Sequence, residues 1–280
     1  MIKSMLVFTD GSDSGTTACR YAIALAKELG AELTGCHVLD SRMLEGPLMA
    51  DISGWIGAQP FSGQLKQFRD LMEQKGDAVV EALADLAASE GLDIEVNLRM
   101  GHPARVLLEE EAHAEMIVLG RHGEHREMGG GFIGSTAERV ARHSAKPCLI
   151  TPDEYAPIGK ILCGYDGSSH AGKALHEAIE LALALQKPLV ILSIAEDNDL
   201  RVAREWAEDG IRMARAHECA AANLVLPGRP EVIIPEKADE LGCGLIVVGA
   251  YGHSRIREMI LGSTTHSLIT RSTKPILLVR

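Results

Sequence analysis

This 280-residue chain has no run approaching the roughly 18 uninterrupted apolar residues that a membrane-spanning helix requires. Its first apolar stretch, Met5-Leu6-Val7-Phe8, is too short for the core of a signal peptide and reads as an opening strand. The expected compartment is the cytoplasm. Basic charge is also scarce. Lys and Arg number 28 against 39 Asp and Glu, a formal net charge of −11. That balance argues against nucleic acid or an anionic membrane surface as partner. The six cysteines (Cys19, Cys36, Cys148, Cys163, Cys219 and Cys243) form no C-x-x-C pair. They lie in apolar segments and are expected to be reduced core residues. The signatures of a P-loop, a nucleophile elbow and a zincin helix are missing too. No catalytic constellation emerges.

What the chain does have is an internal repeat. Met5-Leu6-Val7-Phe8-Thr9-Asp10-Gly11-Ser12 matches Ile161-Leu162-Cys163-Gly164-Tyr165-Asp166-Gly167-Ser168. Gly101-His102-Pro103 matches Gly228-Arg229-Pro230, and Lys146-Pro147 matches Lys274-Pro275. The order is the same in both halves, so two domains are expected, over 1–152 and 158–280. A Pro-bracketed linker, Pro152 to Pro157, joins them. In each half, strands alternate with helices, which implies an α/β fold with an open parallel sheet covered on both faces. In the first half, strands are expected near 4–9, 32–38, 93–98, 115–119 and 147–151. Helices are expected near 14–29, 64–90, 103–113 and 135–144. The long helix should turn Leu65, Phe68, Leu71, Val79, Leu83 and Leu86 inward. Residues 41–63, with Trp55 and Pro60, show no period and read as a loop.

The chemistry concentrates in a glycine pattern after the fourth strand of each half. In the second half it is Gly249-x-x-Gly252, nine residues, then Gly262-Ser263-Thr264. In the first it is Gly120-x-x-Gly123, ten residues, then Gly134-Ser135-Thr136. Glycines let backbone N–H groups approach a ligand, and a helix N-terminus adds free donors and partial positive charge. Such a place suits phosphate. Ligands in open α/β sheets bind at the carboxyl ends of strands, where Asp10 and Asp166 also lie. Asp-Gly-Ser is equally good turn chemistry, and both readings of the aspartates stand. The spacing of His122 and His125 invites a metal reading, but no cysteine or acidic set accompanies it. Gly129-x-Gly131-x-x-Gly134 spells a dinucleotide fingerprint but does not directly follow a strand.

An Asp at the first strand end, Gly-His/Arg-Pro after the third and G-x2-G-x9-G-S/T after the fourth together resemble the universal stress protein family. The resemblance covers the whole chain as a tandem two-domain member. It implies strand order 3-2-1-4-5 in each domain, edge strands paired into an intramolecular pseudo-dimer, and a further homodimer. It implies an adenine nucleotide (ATP or AMP, with Mg²⁺ as a companion) and the role of a stress sensor or regulator. In the second domain the nucleotide would meet Gly164, Tyr165, Asp166, Ile194, Gly249, Gly252, His253, Gly262, Ser263, Thr264 and Thr265. In the first, the matching positions are Thr9, Asp10, Val38, Gly120, Gly123, Gly134, Ser135 and Thr136. The first-domain spacer has one extra residue and three consecutive glycines, so the nucleotide is expected mainly in the second domain. A weak Mg-dependent ATPase and a nucleotide-free interaction module are the alternatives.

Overall fold

The computed structural model describes residues 2–45, 61–123, 133–196, 199–250 and 262–280. The first half runs β1 (Ser4–Phe8), α1 (Asp13–Leu29), β2 (Glu32–Asp40), α2 (Arg42–Glu45), α3 (Phe61–Ser89), β3 (Glu95–Gly101), α4 (Pro103–Glu110), β4 (Met116–Gly120), α5 (Ser135–His143) and β5 (Cys148–Thr151). The second runs β6 (Ile161–Gly164), α6 (Ser169–Leu185), β7 (Leu189–Ala195), α7 (Leu200–Ala216), β8 (Ala221–Pro227), α8 (Pro230–Glu240), β9 (Leu245–Gly249), α9 (Ser263–Arg271) and β10 (Ile276–Val279).

The strands form one sheet in the order β3-β2-β1-β4-β5-β10-β9-β6-β7-β8. Neighbours within a half are parallel. The halves meet where β5 and β10 pair antiparallel, with Leu149 opposite Leu277. Each of these strands would otherwise be an edge with unpaired backbone groups, and pairing removes both edges. Two apolar layers run across both halves. One gathers α1, α3, α6 and α7 on one face of the sheet, and the other gathers α4, α5, α8 and α9 on the opposite face. Period-2 alternation divides β4 between them: Met116 and Val118 join the first layer, Ile117 and Leu119 the second.

The first turn of α1 shows how local chemistry starts a helix. Asp10 Oδ1 accepts from the Ser12 N–H at 3.1 Å, Gly11 takes φ +81°, and Ser12 Oγ caps the Gly15 N–H. Asp166, Gly167 (φ +75°) and Ser168 repeat the device, with Ser168 capping Ala171. All six cysteines are buried and unpaired. Burial pushes the thiols of Cys19 and Cys36 up to about 12, so they stay protonated and inert.

Two expectations need correction. Residues 41–63 are not loop throughout: Arg42–Glu45 are helical and α3 begins at Phe61, while residues 46–60, with Trp55 and Pro60, lie outside the described residues. Leu71 does not turn into the core but is 62% exposed. At 29 residues, α3 outruns the 17 of its counterpart α7. Along its first half, Phe68, Leu71, Met72 and Lys75 line a cavity at the strand ends. Leu83, one of the residues expected inward, is buried; the side chain of Leu65 lies outside the described residues.

Candidate functional site

A cavity of about 370 Å³ opens at the carboxyl ends of β1, β2 and β4. That is within the range of small-molecule sites. Its floor is Phe8, Asp10, His37, Val38, Leu119 and Gly120. One wall is Gly123, Gly134, Ser135 and Thr136, and the roof is Met43 with Phe68, Met72 and Lys75 of α3. Of the first-half positions singled out in the sequence, Asp10, Val38, Gly120, Gly123, Gly134, Ser135 and Thr136 all line this one space. Thr9 does not. Its hydroxyl accepts from the Gly11 N–H and its carbonyl meets His37 Nδ1 at 2.8 Å, so it holds the turn from below.

The glycines have separate jobs. A Cβ on Gly120 would stand 2.7 Å from the Ser14 carbonyl oxygen, so Gly120 lets the first turn of α1 press on β4. A Cβ on Gly123 would lie 2.8 Å from Asp10 Oδ2, so glycine there leaves the carboxylate facing the cavity. Gly134 precedes α5 with no side chain capping the helix. The N-terminal N–H groups of α5 therefore point toward the cavity wall with their partial positive charge. Asp10 closes the turn through Oδ1, and its Oδ2 lies on the Gly123 side, within the cavity lining.

Charge at the rim is balanced. Burial pushes the Asp40 carboxyl up, but the Arg42 guanidinium outweighs this and holds it below the usual carboxylate range. Arg42 donates to both carboxylate oxygens, at 2.8 and 2.9 Å. Lys75 and His122 bring further basic groups to the lining. The roof residues escaped sequence reasoning. Phe68 and Leu71 carried a signal, helical spacing, but that spacing marks a face turned to a cavity as readily as one turned to a core.

The second half keeps the same frame. Gly249 lies under the first turn of α6, where a Cβ would stand 2.9 Å from the Ala171 nitrogen. Gly164 ends β6, Asp166 closes its turn, and Ile194 is buried near the end of β7. Tyr165 sends its ring inward, within 3.3 Å of where Gly210 would carry a Cβ. Gly262 precedes α9 without a side-chain cap, and Ser263 and Thr264 open the helix. Thr265 is buried, its hydroxyl 3.4 Å from the Ala250 carbonyl oxygen. Gly252 and His253 lie outside the described residues, as do His125 and Gly129 to Gly131.

Two doubly wound α/β halves fused through their last strands, each with an Asp-Gly-Ser turn after its first strand and an uncapped helix start after its fourth, define a tandem Rossmann-like architecture. The chain belongs to the universal stress protein family, whose model matches residues 1–152 and again 157–280. It is 29% identical over 289 residues to universal stress protein Slr1230 of Synechocystis, covering all of both chains. It is 25% identical to a universal stress protein of Mycolicibacterium smegmatis, covering 99% of this chain and 96% of that one. A crystal structure of a universal stress protein from Archaeoglobus fulgidus shares the fold with a TM-score of 0.76 at 23% identity, over 99% of this chain and 98% of that one. No helix among the described residues is long and apolar enough to cross a membrane.

Proposed function

We propose that this protein binds an adenine nucleotide and serves as a cytoplasmic stress sensor or regulator, with the first-half cavity as one binding site. The observation that carries the reading is the convergence, in one space, of strand ends, a glycine turn and an uncapped helix start. Val38, Phe68 and Met72 offer apolar surfaces suited to a purine. Asp10 suits a ribose hydroxyl, and the N-terminus of α5 suits phosphate. Among the described residues no three His, Cys, Asp or Glu side chains are grouped to hold a metal. Mg²⁺ carried on the phosphates would find the carboxylates of Asp10 and Asp40 in the cavity lining.

This reading shifts weight toward the first half, which its longer spacer had disfavoured. The spacer sits in residues 124–133, and the cradle residues on either side of it still meet. The second half, with its nine-residue spacer and open position at Gly262, is proposed as a second site. Thermal melting with Mg-ATP tests the reading. A ligand at 100 times its Kd adds about 2.7 kcal/mol, so Tm should rise by several degrees at saturating nucleotide. An unchanged Tm at millimolar ATP, ADP and AMP would overturn it.

A further inference from the structure

Arg121 follows Gly120 in the first-half glycine turn, yet its side chain serves the other half. It is only 8% exposed. Its Nη1 donates to the carbonyl oxygens of Ile269, Thr270 and Ser272, at 2.9, 3.1 and 3.0 Å. These carbonyls close α9, the helix whose other end is Gly262-Ser263-Thr264. The last carbonyls of a helix lack intrahelical donors and carry partial negative charge, so a guanidinium there is doubly favourable. Asp153 of the linker lies 3.5 Å from Nη2 and balances the charge. The backbone of the same residue serves the first half, because its carbonyl accepts from the Gly134 N–H at 2.9 Å. One residue thus holds the start of α5 through its backbone and the end of α9 through its side chain. A reciprocal contact exists: Arg280 of the second half donates to the Arg142 and Ser144 carbonyls at the end of α5.

We propose that Arg121 is a positioning residue that couples the two phosphate-cradle helices, so that a change at the first-half cradle is felt at α9. The coupling rests on the nucleotide reading for its ligand, but not for its mechanics. A phosphate seated against Gly123 and Gly134 bears on the turn that carries Arg121. Any shift of that turn moves a guanidinium fixed to three carbonyls. Arg suits the place because its rigid fork sets Nη1 on the carbonyls while Nη2 lies beside Asp153; a Lys ammonium is a single, more strongly hydrated nitrogen on a shorter stem and cannot serve both.

Hydrogen exchange of the α9 amides in the full chain tests this, with two arms. The first uses Mg-ATP on Ser263→Asp, which places a negative charge at the second-half cradle, so that nucleotide enters the first half only. Protection over residues 268–272 should change about fivefold or more, the low end of measured couplings between sites. Adding Arg121→Lys should abolish that response while calorimetry still detects ATP binding. Binding without any response at α9, or a response that survives Arg121→Lys, overturns the proposal. The second arm needs no ligand. In Gly134→Ala the new methyl would stand 3.3 Å from the Arg121 carbonyl oxygen and press on it. Exchange in the last turn of α9 should change with Arg121 present and not with Lys in its place. If ATP fails to bind, the nucleotide reading falls and this arm alone decides. An unchanged α9 in Gly134→Ala then overturns the coupling.

Discussion

Leu83 fills the space that a side chain on Gly35 would occupy: a Cβ built on that β2 glycine would collide with Leu83 Cδ2 of α3. The second half solves the same contact the other way round. Its strand carries Ile191 and its helix Gly210, where a Cβ would lie 3.1 Å from Ile191 Cγ2. The equivalence is fixed by register. Thr9 N–H bonds the Cys36 carbonyl as Tyr165 N–H bonds the Leu192 carbonyl, and Val79 and Trp206 both sit over the glycine of the Asp-Gly-Ser turn. One knob fills one hole in each half, with the partners exchanged. Gly35→Ile alone should overpack the layer and cost about 1–3 kcal/mol. Leu83→Gly alone should cost more, combining a cavity of the Leu→Ala kind, about 2–5 kcal/mol, with the helix penalty of glycine, about 1 kcal/mol. The double variant should lose less than the sum of the two. Denaturant unfolding of all four proteins checks it, and simple additivity would show that the halves do not share this packing rule.

Much of this architecture was legible in the sequence. The repeat fixed the equivalences, and hydrophobic period placed β1, α1, β4 and α5 within a residue or two of their observed bounds. The Asp-Gly-Ser turns and the helix start at Gly134-Ser135-Thr136 could be read because each rests on local backbone chemistry. The rest could not, because it depends on contacts with residues distant in the sequence. Nothing local to Arg121 says that it will reach α9, since its partners lie 148 to 151 residues away. Phe68 and Leu71 have the spacing of core residues, yet they line the cavity. Tyr165 occupies a cradle position in sequence, yet the small Gly210 opposite draws its ring into the core.

Lys75 enters the cavity from α3, where the second half has Val202 at the matching helical position. Its charge should serve phosphate rather than base. Lys75→Gln should therefore weaken ATP binding about three- to tenfold, consistent with roughly 1 kcal/mol for a charge pair near water at 4 Å, and leave adenosine binding unchanged. The effect on ATP should shrink as salt rises. Calorimetry with both ligands at two salt concentrations measures it. An equal loss for ATP and adenosine would assign Lys75 to packing instead.

Glu177 on α6 is a stability cost at neutral pH. Desolvation is the main reason its carboxyl pKa lies above the usual value; His176 pulls it down, while Glu180 and Glu115 push it further up. The folded state therefore holds its proton to higher pH than the unfolded chain does. As pH rises above the ordinary carboxylate range, the unfolded chain releases its proton first and folding loses stability until the folded carboxyl has also ionised. Glu177→Gln removes this term. Its Tm should exceed that of the parent at pH 7, and the gap should close at pH values below about 4, where both states are protonated. A gap that stays constant with pH would show that the carboxylate is not its source.

Ser135 and Ser263 offer the sharpest assignment of the two cradles. Each is the first residue of an uncapped helix, α5 or α9. Aspartate at that position suits the helix, adding about 0.3–1 kcal/mol through the dipole, so neither variant should unfold. The same carboxylate would stand where a phosphate binds. Two like charges about 4 Å apart cost about 1–4 kcal/mol between bulk water and a protein surface, a loss of roughly 5- to 1,000-fold in affinity. Ser135→Asp should remove one binding event from an ATP titration and Ser263→Asp the other, with circular dichroism unchanged in both. The pair also ranks the halves. If Ser135→Asp removes the tighter event, the roof over the first-half cavity outweighs its longer spacer. If Ser263→Asp does, the nine-residue spacer decides affinity. A titration that neither substitution alters would place the nucleotide away from both helix starts and refute the cradle assignment.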